Sequence, residues 1–225
     1  MIWMYHSISE FDTDPYDVTV RPDRFAAQLA WLRRNGLRGV SMRELARDPR
    51  GAVGLTFDDG YADFAETAVP ILREYGCTAT VFVLAGRLGG ANEWDAQGPR
   101  KPLMTADQIT AVAGSGMEVA SHGLRHRPMP ALVEPTLVQE IAGSRAQIAE
   151  LIGDRVDGFA YPYGLLDQIS RDAVAAAGYR YACAVGHPER PGKFALPRTF
   201  VGQRDTAPRL RAKWLRHTLR ERTLA

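Results

Sequence analysis

Short apolar runs recur along the chain, separated by longer stretches whose apolar residues fall at steps of three and four. Side chains repeat every two residues on a strand and about every 3.6 on a helix. The runs at 2–6, 53–57, 80–84, 117–121, 158–161, 181–185 and 194–200 are therefore predicted strands. Phe25, Leu29 and Leu32 mark one helical stripe; Leu137, Ile141, Ile148 and Leu151 mark another. Strands alternating with helices predict an α/β fold around a parallel sheet. Gly36, Gly76, Gly116, Gly153 and Gly178 stand where helices should stop, since glycine tolerates the left-handed backbone of a C-terminal cap. Thr105 with Gln108 reads as a capping box. The chain has no repeat and no dividing linker, so residues 1–225 read as one domain. The stretch 86–102 reads as a loop, about as long as functional loops tend to be.

Composition narrows the picture. At 225 residues, 45% hydrophobic and 24% charged, the chain has the make-up of a soluble globular protein. A net charge of +2 argues against a bulk nucleic-acid role. Cys77 and Cys183 sit in apolar contexts without zinc-finger spacing and read as buried thiols. No stretch approaches the ~18 apolar residues of a spanning helix, and the first residues lack a basic leader. The chain given thus reads as cytoplasmic, unless a longer precursor carries a signal. The C-terminal segment 204–225 differs. Between Arg204 and Arg222, seven basic residues face two acids, a net of +5 against −3 for the remainder. It reads as a helix with Leu210, Trp214 and Leu219 on its apolar edge. Its basic face is either simply solvated or drawn to an anionic substrate or membrane surface. Oligomeric state is open.

Four motifs carry candidate chemistry. Leu55-Thr56-Phe57-Asp58-Asp59-Gly60 ends an apolar run in two carboxylates, at the strand end where α/β folds place their sites. Such a pair can divide labour between metal and base; Asp-Gly is also a plain turn signal. Ser121-His122-Gly123-Leu124-Arg125-His126 offers two imidazoles that would share one helical face, as would an ordinary solvated pair. Phe159-Ala160-Tyr161-Pro162-Tyr163-Gly164 is a constrained turn able to present a backbone N–H to an oxyanion, or only to end a strand. His6, in Met4-Tyr5-His6-Ser7, stands at a strand end, where a histidine suits a general acid or base, or a structural role. Together the motifs place two histidines and a carboxylate at strand ends, a plausible hydrolytic metal site with one position open.

With these motifs the sequence resembles the polysaccharide deacetylase family, carbohydrate esterase family 4, also called the NodB homology domain. The matching residues are Thr56-Phe57-Asp58-Asp59-Gly60, His122 with His126, and Tyr161-Pro162-Tyr163-Gly164. The resemblance implies a distorted (β/α) barrel of about seven strands. It implies Asp58 as catalytic base, Asp59, His122 and His126 as metal ligands, and the Tyr163 N–H at the oxyanion. The start Met4-Tyr5-His6-Ser7-Ile8 looks like the circularly permuted branch, which makes His6 the candidate acid and His187 the runner-up. The family's arginine before Pro-Tyr is absent, for Ala160 stands there; Arg198 is the candidate substitute. The expected activity is removal of an N-acetyl group from an amino sugar with a divalent ion, zinc first. O-acetyl ester or small-amide hydrolysis and a non-catalytic metal-binding module are the alternatives. Trp94 is expected either to stack on a sugar ring or to pin its own loop.

Overall fold

A computed structural model describes residues 1–224, with side chains to residue 220. The strands are β1 (Ile2–Tyr5), β2 (Ser7–Ile8), β3 (Thr19–Val20), β4 (Arg38–Val40), β5 (Ala52–Phe57), β6 (Thr80–Val83), β7 (Glu118–Ser121), β8 (Gly158–Ala160), β9 (Tyr181–Cys183) and β10 (Thr199–Phe200). The helices are α1 (Pro22–Arg34), α2 (Met42–Arg47), α3 (Val69–Glu74), α4 (Ala106–Gly114), α5 (Glu134–Val138), α6 (Ser144–Ile152), α7 (Gln168–Ala176) and α8 (Ala207–Leu224). Short π-helical turns enter α3 (Phe64–Ala68) and join α5 to α6 (Gln139–Gly143).

Eight strands pair into one parallel sheet, in the order β10-β1-β5-β6-β7-β8-β9, with β4 beside the first half of β5. The sheet curls, and its two edges are bridged by one segment. Leu196 exchanges backbone hydrogen bonds with Ala182 and Ala184 beside β9, while Thr199 and Phe200 pair with Trp3 and Met4 of β1. The expected distorted barrel is thus what the chain forms. The predicted strand 194–200 is regular only at Thr199–Phe200, because it leaves one edge to join the other. The sequence reading missed β4, β2 and β3, which are too short for a periodic signal.

Alternation along the strands sorts the core. Phe57, Val81, Val83, Val119 and Phe159 face the helices. Phe82, Ala120 and Ala160 face the inside of the curl with Tyr181 and Cys183. Under β1 and β5, Tyr5 stacks on Phe57 at 5.2 Å, with Phe25 and Phe64 edge-on or tilted against them. Such pairs contribute about 0.5–1.5 kcal/mol each beyond burial, so the two strands bearing His6 and Asp58 rest on a stiff floor.

The helix-stop glycines all take left-handed backbone, and Thr105 and Gln108 form the predicted capping box. Cys77 and Cys183 are buried, unpaired thiols. On α8, Leu210 is buried and Trp214 half-buried, while Leu219 is 63% exposed. No helix among the described residues is long and apolar enough to cross a membrane.

Candidate active site

Each site motif begins where a strand of the sheet ends. Asp58 still donates its N–H to Tyr5 at the end of β1, and His122 donates to Val83 at the end of β6. The chain must then turn sharply inward. Asp59 and Gly60 are both left-handed, with φ of 71°. A Cβ at Gly60 would lie 3.1 Å from Val83, so any side chain there would be crowded as well as strained by the positive φ. Four non-glycine residues take positive φ among those described: Asp17, Asp59, His126 and Tyr163. Three of them belong to the predicted site. Left-handed backbone costs such residues roughly 1–3 kcal/mol each, and the surrounding packing must hold them there.

The second histidine corrects the sequence reading. His122 and His126 do not share a helical face; residues 122–126 form a loop, turned by Gly123 (φ 87°) and His126 (φ 58°). The loop, rather than helical pitch, brings the rings to a centroid separation of 5.1 Å. His122 Nδ1–H donates to the Ala160 carbonyl at 2.8 Å, which leaves Nε2 facing Asp59. That bond uses only the main chain of Ala160; the guanidinium missing at position 160 comes from Arg198. The His126 ring is stacked on Trp94 at 4.5 Å and meets Tyr163 edge-on at 4.4 Å. Trp94 thus ties the loop 86–102 to His126, and it also lines the cavity beside the cluster.

The donor set fits a metal ion. Asp59 Oδ1 is buried with no hydrogen-bond partner and lies 3.3 Å from Nε2 of both His122 and His126. Ligand atoms on a tetrahedron with arms of ~2.0–2.1 Å are about 3.3–3.4 Å apart. Asp59, His122 and His126 are all buried, and their ligand atoms lie within 4.8 Å of one another. Burial raises the Asp59 carboxyl, but the two imidazoles more than offset this and hold it well below the usual carboxylate range. Burial lowers His122, and Asp59 and Asp58 together push it above the usual histidine value.

Beside this cluster, Asp58 is gripped by Arg198. The guanidinium donates from Nη1 to Oδ1 at 2.6 Å and from Nη2 to Oδ2 at 2.7 Å. It is itself fixed by Nε–H donating to Ala184 O and Nη1–H donating to Thr56 Oγ1. Both residues are almost fully buried, and Arg198 lies over the Phe82 ring inside the curl. Burial pushes Asp58 up, yet Arg198 and His122 bring its pKa below the ordinary value, so it stays ionised. His6 lines the same cavity, and its Nδ1 is buried without a partner. Exposed His187 does not line that cavity. Tyr163 occupies a turn, Pro162–Gly164, on the rim.

The cavity holds about 330 Å³, room for one sugar ring. Its outer wall includes Tyr16 and Asp95, which the sequence reading missed. Asp95 accepts from Tyr61 Oη at 3.2 Å, and burial raises its carboxyl, helped by the charge of Asp59. Only its place beside Trp94 in the long loop hinted at this.

A curled parallel α/β sheet with two carboxylates and two imidazoles converging at one rim places the chain among (β/α) barrels whose strand ends carry the site. It belongs to the polysaccharide deacetylase family, whose model matches residues 46–182. The Bacillus subtilis (strain 168) protein YxkH is 28% identical over 210 residues, covering 89% of this chain and 70% of that one. The poly-β-1,6-N-acetyl-D-glucosamine N-deacetylase of Staphylococcus aureus (strain MSSA476) is 21% identical over 214 residues, 87% of this chain and 72% of that one. In fold, the chain resembles the Streptococcus pyogenes deacetylase PplD in complex with acetate (TM-score 0.77, 24% identity, 94% and 96% covered). It also resembles IcaB from Ammonifex degensii (TM-score 0.77, 24% identity, 94% of each chain covered).

Proposed function

We propose that this chain is a metal-dependent hydrolase that removes the N-acetyl group of an amino-sugar glycan, releasing acetate. Asp59, His122 and His126 would hold the ion, zinc being the first choice for a nitrogen-and-carboxylate set. A divalent ion so held makes water acidic and polarises a carbonyl. The remaining work falls to side chains. Asp58, kept ionised and oriented by Arg198, takes the proton from the attacking water. The main-chain N–H of Tyr163 stabilises the developing oxyanion, a role worth roughly 3–4 kcal/mol per donor. His6, with its free buried Nδ1, delivers a proton to the amine nitrogen, without which an amide does not part readily.

The observation that carries this reading is the bidentate Arg198–Asp58 pair 2.6–2.7 Å apart beside the ion ligands. Ion storage alone needs no oriented, ionised second carboxylate, which weighs against a non-catalytic module. The name of the Staphylococcus relative suggests β-1,6-linked N-acetylglucosamine as substrate. The test is acetate release by zinc-loaded protein from a panel of β-1,6-linked N-acetylglucosamine oligomers, a nucleotide-linked N-acetyl sugar and O-acetylated sugars. Release from the N-acetyl glycans supports the proposal. Release from O-acetyl esters alone would replace it with the esterase reading.

A further inference from the structure

A buried carboxylate on a distant helix holds the backbone in front of His126. Glu140 is 3% exposed and sits in the π-helical turn between α5 and α6. Its Oε2 accepts the N–H of Leu124 at 2.7 Å and of Arg125 at 3.0 Å. These are the two residues immediately before His126. Extra residues in π-turns re-aim side chains and often mark functional positions.

The loop is tied on its other side too. Ala85 and Gly86 donate their N–H groups to the carbonyls of Gly123 and Leu124. A Cβ at Gly86 would lie 2.9 Å from Leu124 O, and one at Gly123 would lie 3.1 Å from Glu140 Oε2. Both glycines are thus places where backbone must approach closely. Trp94 and Tyr163 fix the His126 ring but do not hold its backbone. His126 has left-handed φ, which costs roughly 1–2 kcal/mol in a residue with a side chain, so a loop released from its ties would relax away from it.

We propose that Glu140 is a positioning residue for His126, setting the ion-facing imidazole through the Leu124–Arg125 backbone; this rests on the metal-site reading above. An acceptor atom at Oε2 is what the loop requires. Glu140→Gln, which keeps an acceptor there, should bind zinc within about threefold of the wild type. Glu140→Ala and Glu140→Asp, which withdraws the oxygen by one methylene, should each weaken zinc binding by ~10–100-fold. Competition with a chromophoric chelator reads the affinity. In the metal-free protein, amide exchange at Leu124 and Arg125 should accelerate in the Asp variant and not in the Gln variant. Thr105→Ala, which removes the α4 cap bond with Gln108 and none in the 122–126 loop, controls for general destabilisation and should leave zinc affinity unchanged. Wild-type affinity in both the Asp and Ala variants, or an equal loss in Thr105→Ala, overturns the positioning role. Failure of the wild type itself to bind zinc overturns the underlying metal reading instead.

Discussion

At the scale of single residues, the site separates a group kept ionised, Asp58, from the three groups that would hold an ion on the proposed reading. Asp58→Asn removes the anion that Arg198 grips, and acetate release should fall below detection while zinc binding persists. Arg198→Lys gives up the two parallel bonds for a single point charge. A small misplacement of a reacting group costs ~10²-fold, and a loss of that order in kcat is expected, with KM little changed. Cys183 gives a pH test. Burial pushes its thiol up to about 12, against ~8.5 in an unfolded chain. The folded pKa is raised, so the stabilisation it reflects is complete below ~8.5 and is lost as pH climbs toward 12. Urea unfolding at pH 7.5 and 10 should show a smaller loss of stability in Cys183→Ala than in the wild type, by up to ~1.4 kcal/mol per pH unit.

Motif residues were the legible part of the site, because Asp58-Asp59, His122 with His126 and Pro162-Tyr163-Gly164 each lie in one short stretch. Arg198 was within reach only as a candidate, since nothing local links it to an aspartate 140 positions away. Glu140 gave no signal at all: one glutamate on an amphipathic stretch looks like any solvated charge until the loop it serves is folded over it.

At the scale of elements, helix stops and caps were legible because their causes are local. Thr105→Ala should cost about 1 kcal/mol by urea unfolding and leave turnover unchanged, since α4 lies behind the sheet. Turns at strand ends are less forgiving. Gly60→Ala forces a methyl toward Val83 in left-handed backbone; it should destabilise by at least about 1 kcal/mol and reduce zinc binding, read by thermal unfolding with and without zinc. The histidine loop was misread as helix because a spacing of four is shared by helices and by turns that return on themselves. Only the positive φ at Gly123 and His126 distinguishes them, and a histidine at that conformation is not foreseeable from its neighbours.

At the scale of the molecule, the alternation of strand and helix specified a parallel sheet, but closure was beyond its reach. The segment that joins the two sheet edges makes few regular pairs, and those of Thr199 and Phe200 run to Trp3 and Met4 at the other end of the chain. The metal reading also has a global consequence. An ion that binds the folded chain alone stabilises it by about 2.7 kcal/mol at one hundred times its dissociation constant. A chelator should therefore lower the melting temperature, and added zinc should restore it.

That closing segment brings Arg198 to the site, and β1 brings His6, while the family-matched stretch 46–182 contains neither. A chain still emerging from the ribosome, grown no further than β9, would already own every ion ligand and the aspartate beside them. It would lack the guanidinium that aims that aspartate. On the proposed reading, the aim of Asp58, and with it hydrolysis, would therefore depend on the last strand to join the sheet.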